Sequence, residues 1–468
     1  MSSSKFLLLS VFASFSLLKL ALAFDNTRFD NKPLAFYCED DAIDVFPVAF
    51  VNTFFGPGGV PSMNLANICN TVDNTTFPGT NLPNCASVGN DIKTCQAKGK
   101  IVTLSLGGAG GAVGFSSDSQ GETFADTIWN VFLGGSSATR PFGSAVLDGV
   151  DLDIEGGSST GYAAFVNRIR SHASGASKKY FITAAPQCPF PDASLGGVLN
   201  AASFDAVYVQ FCKKPYLCFD WPLKIILSAD IPPKDWDFGL WDDWARQTSP
   251  NKNVKIYVGA PASSTAAGSG YQDISTLTKI AVQMRKSFPS FGGVMLWDAS
   301  QAYVNGRYDL AVKNALSAAG GTGFTYPACS APAFAAGTNY QGGSQVSFGG
   351  YIWQAKFFAS STPSNSPNGE WSAISACSGT GTAPTSVPTS SPTSPPTSGS
   401  CAGIAAWSSG EVYTGGQQAT FNGHLWTAKW WTEGDTPGGE MLPCGERNVE
   451  KEARVDPPRE VKQVCLTA

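Results

Sequence analysis

Seven short apolar runs, rich in β-branched residues, punctuate the first two thirds of the chain. They are Val45–Phe55, Ile101–Leu106, Val146–Ile154, Tyr180–Ala185, Ala206–Phe211, Val254–Gly259 and Gly292–Leu296. Runs of this length and composition read as strands buried on both faces. Between them lie stretches with apolar residues at helical spacing, among them Glu122–Leu133, Tyr162–Ser171 and Ile274–Ser287. Strand–helix alternation over this length predicts a parallel sheet flanked by helices, and a barrel is its leading closed form. In such barrels the chemistry sits at the C-terminal strand ends.

One run departs from the apolar rule with a period of two. Asp148-Gly-Val-Asp-Leu-Asp-Ile-Glu155 carries acids at Asp151, Asp153 and Glu155, with Val150, Leu152 and Ile154 between them. Alternate residues of a strand share a face, so three carboxyl groups point into one pocket. Grouping like charges away from water is costly and raises the pKa of one of them. A protonated carboxyl at a strand end suits a general acid. The competing reading, a calcium loop, needs a glycine at its sixth position and oxygen ligands on a flexible loop. The apolar, β-branched spacers argue against it. Asp148 starts the strand and reads as structural.

After Leu316 the texture changes to Gly, Ala, Ser and aromatics, and the chain repeats itself. Phe334, Tyr340, Trp353, Phe357 and Phe358 are matched by Trp407, Tyr413, Trp426, Trp430 and Trp431, each 73 positions later. A constant offset over five aromatics marks an internal repeat. The copies fall at 329–377 and 401–444. The Thr/Ser/Pro-rich stretch between them, 378–400, reads as an extended linker decorated with O-glycans. Flat rings on a small β-module can stack on sugar faces; the same rings could instead form a small core. Tyr413, Trp430 and Trp431 are the expected binding residues, and Trp426 the core residue.

Composition narrows the setting. With net charge −5 and 14% charged residues, the chain offers no basic surface for nucleic acid. Residues 1–23 read as a signal peptide: Lys5, an apolar run from Phe6 to Leu18, and the small-residue site Ala21-Leu-Ala23. That run is too short to span a bilayer, and no other long apolar segment follows. Twelve cysteines in an exported chain predict disulfides. A metal reading is weak, because no paired CxxC occurs and only His172 and His424 are available; both read as surface residues. Asn74-Thr-Thr76 is a glycosylation sequon. These features predict a secreted, extracellular or cell-wall protein, monomeric, with no membrane span.

The acidic octapeptide resembles the signature of glycoside hydrolase family 18, in the form shared by fungal and plant (class III) chitinases. Ser105-Leu-Gly-Gly108 resembles that family's third-strand motif. Ala184-Ala-Pro-Gln187, Tyr208-Val-Gln-Phe211, Tyr257-Val-Gly-Ala-Pro261 and Gly293-Val-Met-Leu-Trp297 resemble its later strand ends. The repeats resemble chitin-binding modules of family 5/12. The resemblance implies a (β/α)8 TIM barrel over 24–318 followed by small all-β carbohydrate-binding modules. It implies hydrolysis of β-1,4-linked N-acetylglucosamine in chitin and chito-oligosaccharides, with retention and with no metal or cofactor. Glu155 would protonate the leaving oxygen, Asp153 would hold the substrate acetamide, and Asp151 would tune Asp153. Trp297 would floor the reacting sugar, and Gln210 would contact the acetamide or the strand rim. Cys38–Cys95 and Cys69–Cys85 would staple early loops, and Cys188 would pair near Cys212 or Cys218.

Three departures from the family pattern stand out. No first barrel strand precedes Leu34-Ala-Phe-Tyr-Cys38, which resembles the family's first helix; a barrel short of a strand would have two open edges. Cys212 stands where the family has a Tyr after Val-Gln-Phe, and Lys213–Asp235 matches no family segment. The second repeat breaks after Gly438, and 445–468 is an atypical charged tail. The acids favour an endochitinase. The departures favour a catalytically impaired, lectin-like chitin binder. An endo-β-N-acetylglucosaminidase shares the acidic motif, but the repeats argue against it.

Overall fold

In the computed structural model, the residues described are 32–211, 236–320, 323–378, 405–409, 412–413, 418–421, 424–427, 432–433 and 466–467. The seven apolar runs form seven parallel strands: β1 (Val45–Val51), β2 (Ile101–Gly107), β3 (Gly149–Asp153), β4 (Phe181–Ala184), β5 (Ala206–Gln210), β6 (Lys255–Pro261) and β7 (Phe291–Trp297). Each pairs with its successor in chain order. The helices before, between and after them are α1 (Leu34–Tyr37), α2 (Ala86–Ala97), α3 (Asp118–Phe132), α4 (Tyr162–Ala173), α5 (Gly196–Ala201), α6 (Phe238–Asp243), α7 (Ile274–Ser287), α8 (Ala299–Val304) and α9 (Tyr308–Ala318). Val150, Leu152 and Ile154 are fully buried in the main apolar cluster, with α4 residues Phe165, Val166 and Ile169.

Two strand boundaries differ from the sequence reading by three residues or more. β1 stops at Val51 rather than at Phe55. Beyond it Phe54 turns into the core, its ring 4.4 Å from Phe124 and 5.3 Å from Phe115. β3 begins at Gly149, because Asp148 is occupied as a clasp. Its carboxylate accepts from the Val102 backbone N–H (2.7 Å) and Gln96 Nε2 (2.9 Å), and pairs with Lys178 (2.8 Å). That is the structural role expected of it.

The chain continues through β8 (Gln345–Phe348), β9 (Tyr351–Ala355) and β10 (Trp371–Ala376), which form a three-stranded sheet. Two short pairs follow: β11 (Val412–Tyr413) with β14 (Thr432–Glu433), and β12 (Gln418–Phe421) with β13 (His424–Thr427). A last short strand, β15 (Leu466–Thr467), lies antiparallel between β1 and β7 and closes the barrel. The expectation of two open edges is therefore corrected. A missing strand leaves rows of unpaired backbone N–H and C=O groups, and a segment from the charged tail occupies that place.

Residues 329–377 also differ from a freestanding module. They lie in the same compact unit as the barrel, whereas 386–459 form a second unit. Their sheet packs on α6 so closely that a Cβ on Gly239 would meet the Ala373 carbonyl oxygen at 2.2 Å. Only glycine permits that approach. The disulfide Cys329–Cys377 closes this copy; Cys38–Cys95 and Cys69–Cys85 also form, as the resemblance implies. Cys188 is half of a further disulfide, and both partners expected for it lie outside the described residues. No helix among the described residues is long and apolar enough to cross a membrane.

Candidate active site

The acid row is built by strand register. Ser105 on β2, Asp151 on β3 and Thr183 on β4 stand side by side across three strands. The two flanking hydroxyls donate to the middle carboxyl: Ser105 Oγ to Oδ2 (2.7 Å) and Thr183 Oγ1 to Oδ1 (2.6 Å). Asp151 is 3% exposed, and burial pushes its pKa up while the two hydroxyl bonds pull it back. A group that must lose hydration to sit here, and is compensated by two neutral donors, titrates with its surroundings rather than with bulk water.

Two residues on, Asp153 is 4% exposed. Gln210 Nε2, from the end of β5, donates to its Oδ1 at 2.7 Å and to the Ala185 carbonyl at 2.8 Å. Gln210 thus locks Asp153 to the rim after β4 rather than projecting toward a ligand. The Gly107-Gly108 pair makes room on the other side. Gly107 has φ +116°, and a Cβ there would meet the Asp153 carbonyl oxygen at 2.1 Å. The Gly108 N–H donates to that same carbonyl at 2.8 Å. Glu155 lies two residues past the end of β3; it is half-buried, with Oε1 shielded from water. The row therefore grades from a sealed carboxyl to one at the mouth of the barrel.

Trp297, the last residue of β7, is 7% exposed and stacks on Phe50, ring centroids 5.9 Å apart. It belongs to a small cluster inside the barrel with Ala185, Tyr208 and Met295. Ala185 is the residue whose carbonyl receives Gln210, so the Trp297 cluster and the acid row share one wall. Asp298, next along, is buried with its pKa raised by burial, and its Oδ1 accepts from the Gln301 N–H at the start of α8 (3.0 Å).

The structure brings together Asp151, Asp153, Glu155, Gln210 and Trp297. Tyr413 lies in β11, while Trp430, Trp431 and Cys212 lie outside the described residues. Trp426 is half-buried and donates through Nε1 to the Phe421 carbonyl (3.2 Å), as a core residue would. The sequence reading did not single out Thr183, Phe50, Tyr208 or Met295. Thr183 was findable as the middle residue of a strand adjacent to β3; the others needed the register.

This geometry matches a known family. Residues 27–281, more than half of the chain, fit the model of glycosyl hydrolases family 18. The chain belongs to that family. Carbohydrate-binding module family 5/12 matches residues 406–442. Chitinase 2 of Rhizopus oligosporus is 50% identical over 289 residues, covering 62% of this chain and 50% of the relative. A class III chitinase of Arthroderma benhamiae is 42% identical over 318 residues, covering 66% of this chain and 93% of the relative. The chain spans about half the length of several curated relatives that it matches. Among solved structures, a chitinase from Ipomoea carnea superposes with a TM-score of 0.50 at 29% identity, covering 61% of this chain and 95% of that one.

Proposed function

We propose that this chain is a secreted endochitinase that hydrolyses β-1,4-N-acetylglucosamine linkages by substrate-assisted retaining catalysis. The observation that carries the reading is the graded acid row: Asp151 sealed between two hydroxyls, Asp153 held by Gln210, and Glu155 at the mouth. Family 18 departs from the two-carboxylate scheme of most glycosidases. Glu155 protonates the glycosidic oxygen as the C–O bond breaks. The carbonyl oxygen of the substrate's own acetamide attacks the anomeric carbon, giving an oxazolinium ion. Asp153 holds the acetamide and balances the positive charge, and Asp151 sets the electrostatics beneath it. Water, deprotonated by the Glu155 carboxylate, then opens the ring with overall retention. Trp297 floors the sugar at which this occurs.

The relatives that are chitinases support the substrate class, and the 5/12 match supports an added grip on the polymer. In this reading residues 1–23 direct export, 24–318 cleave, and 329–377 and 401–444 bind chitin through rings such as Tyr413, Trp430 and Trp431. The chain works as a monomer outside the cell or in its wall.

The test is hydrolysis of a soluble fluorogenic chito-oligosaccharide by the full chain. Glu155→Gln should lower kcat by about 10²–10⁴-fold, the usual worth of a general acid, with the melting curve unmoved. A wild-type chain that melts cooperatively and binds chitin without turnover would sink the enzyme reading in favour of the lectin-like one.

A further inference from the structure

The loop that leaves β6, residues 262–272, and the start of α8 both follow C-terminal strand ends, and one side chain ties them together. Gln301 is 5% exposed and lies three residues after Asp298, the N-cap of α8. A glutamine at that position ordinarily reaches back to the backbone N–H of the N-cap. Here the amide points elsewhere. Its Nε2 donates to Asp298 Oδ2 (3.3 Å), and its Oε1 accepts from Ser263 Oγ and from Thr265 Oγ1 (3.0 Å) in the loop. The helix start is capped without it, because Asp298 Oδ1 already accepts from the Gln301 backbone N–H (3.0 Å) and from Ser300 Oγ (2.6 Å). A buried amide is stable only when both of its ends are matched. The carboxyl takes the amide N–H, so the amide oxygen is left for the two hydroxyls.

The gripped turn leads to the floor of the site. The Ala262 N–H donates to the Trp297 carbonyl at 2.8 Å, and the Ala262 carbonyl accepts from Asn305 Nδ2 at 2.8 Å. The Ala266 N–H donates to the Ser263 carbonyl at 3.1 Å. Ala266 itself is buried in the small cluster of Trp297 and Phe50. Between these two buried alanines Ser264 and Thr265 are exposed. The turn that Gln301 holds therefore carries Ala266 onto the cluster that contains Trp297.

We infer that Gln301 is a positioning residue for the cleavage proposed above: by holding the 263–266 turn it keeps Trp297 in place beneath the reacting sugar. Buried as it is, it acts through Trp297 rather than on the sugar. The inference rests on the chitin-cleaving reading and adds to it a residue outside the acid row.

The test measures kcat, KM and the melting curve of the full chain with a soluble fluorogenic chito-oligosaccharide. Gln301→Met keeps the length of the side chain and removes both polar ends. Ser263→Ala combined with Thr265→Ala leaves Gln301 and Asp298 intact and releases the turn from the other side. Each should lower kcat about tenfold, less than the roughly 10²-fold that a 1 Å misplacement can cost. KM should stay within about twofold, because the other sugars of the oligomer still bind. The melting midpoint of the double variant should match wild type. Thr265→Ser, which keeps the hydroxyl, should retain the wild-type kcat. Unchanged kcat in both variants of an active chain overturns the inference and leaves the enzyme reading standing. A fall in kcat that comes with a lowered melting midpoint in both variants, or with an equal rise in KM, makes Gln301 a structural residue and also overturns it. A wild-type chain without turnover overturns the enzyme reading, and the inference with it.

Discussion

The chain contains one hairpin twice, and the two copies are used differently. In the first, Gln345 to Phe348 pair with Gln354 to Tyr351; in the second, Gln418 to Phe421 pair with Thr427 to His424, each 73 residues later. Trp353 donates to the Phe348 carbonyl at 2.9 Å, and Trp426 to the Phe421 carbonyl at 3.2 Å. Phe334 meets Phe348 edge-on at 5.6 Å, as Trp407 meets Phe421 at 5.2 Å. The inward residues therefore specify the hairpin in both. Residues outside that shared set decide what it joins. The first copy has β10 and Tyr351, which bind it to α6; at the positions of Tyr351 and Trp371 the second has His424 and Cys444. The first lies in the barrel's compact unit and the second in a unit of its own. A repeated core is thus compatible with one copy that belongs to the barrel's unit and one that does not.

The sharpest way to break this contrast is Asp242→Ala. Asp242 is fully buried on α6. Its carboxylate accepts from the Ser290 N–H (2.9 Å), Ser290 Oγ (2.5 Å) and Tyr351 Oη (2.7 Å), with Arg246 at 3.7 Å. Removing it strands three donors and a partly buried cation, a loss of about 3–5 kcal/mol. The denaturant midpoint of the barrel should fall accordingly. His424→Ala, at the second copy's equivalent of Tyr351, should leave the barrel's stability within about 0.5 kcal/mol. Comparable shifts from both would mean that the two copies are attached alike.

That contrast also separates what the sequence disclosed from what it concealed. The seven parallel strands and the acid row were legible, because burial on both faces and a period of two are local signals. The role of Asp148 was legible from its position ahead of β3. The hydroxyl clasp on Asp151 was not, since Ser105 and Thr183 become its neighbours only through register across three strands. Gln210 was identified as a residue of the acetamide or the strand rim; its bond to Asp153 becomes visible only in the fold. Docking of the first copy depends on Gly239 meeting Ala373, a contact between residues more than a hundred positions apart with no local pattern. β15 is the extreme case, a strand that pairs Thr467 with Val45.

A smaller effect tests the same seam through pH. Asp243, beside Asp242 on α6, is 7% exposed, and burial followed by the neighbouring Asp242 charge pushes its pKa up to about 6, from 3.8. A carboxyl with a raised folded-state pKa contributes stability that is complete below the unfolded value and is lost as pH rises through the folded one. Asp243→Asn should therefore stabilise the chain by about 3 kcal/mol at pH 7, and the gain should shrink to nothing near pH 3. Denaturant midpoints across that range give the comparison. A gain that persists at low pH would assign the effect to packing rather than to charge.

The smallest expected effect concerns the second copy. Trp430→Ala should weaken binding to insoluble chitin about fivefold, near 1 kcal/mol, and change turnover of a soluble trimer by less than about twofold. The reason is geometric. If 378–400 is the extended linker that its composition predicts, the module raises the local concentration of the barrel only at a surface that presents many sites at once. A soluble trimer offers no second site to grip. The docked copy predicts a different signature: Phe357, at the equivalent position and 48% exposed, belongs to the barrel's own compact unit. Phe357→Ala should spare the trimer but raise KM for soluble oligomers long enough to reach both. If Trp430→Ala raised KM for those same oligomers by as much, the second copy would be held as rigidly as the first, and the distinction between the two attachments would fall.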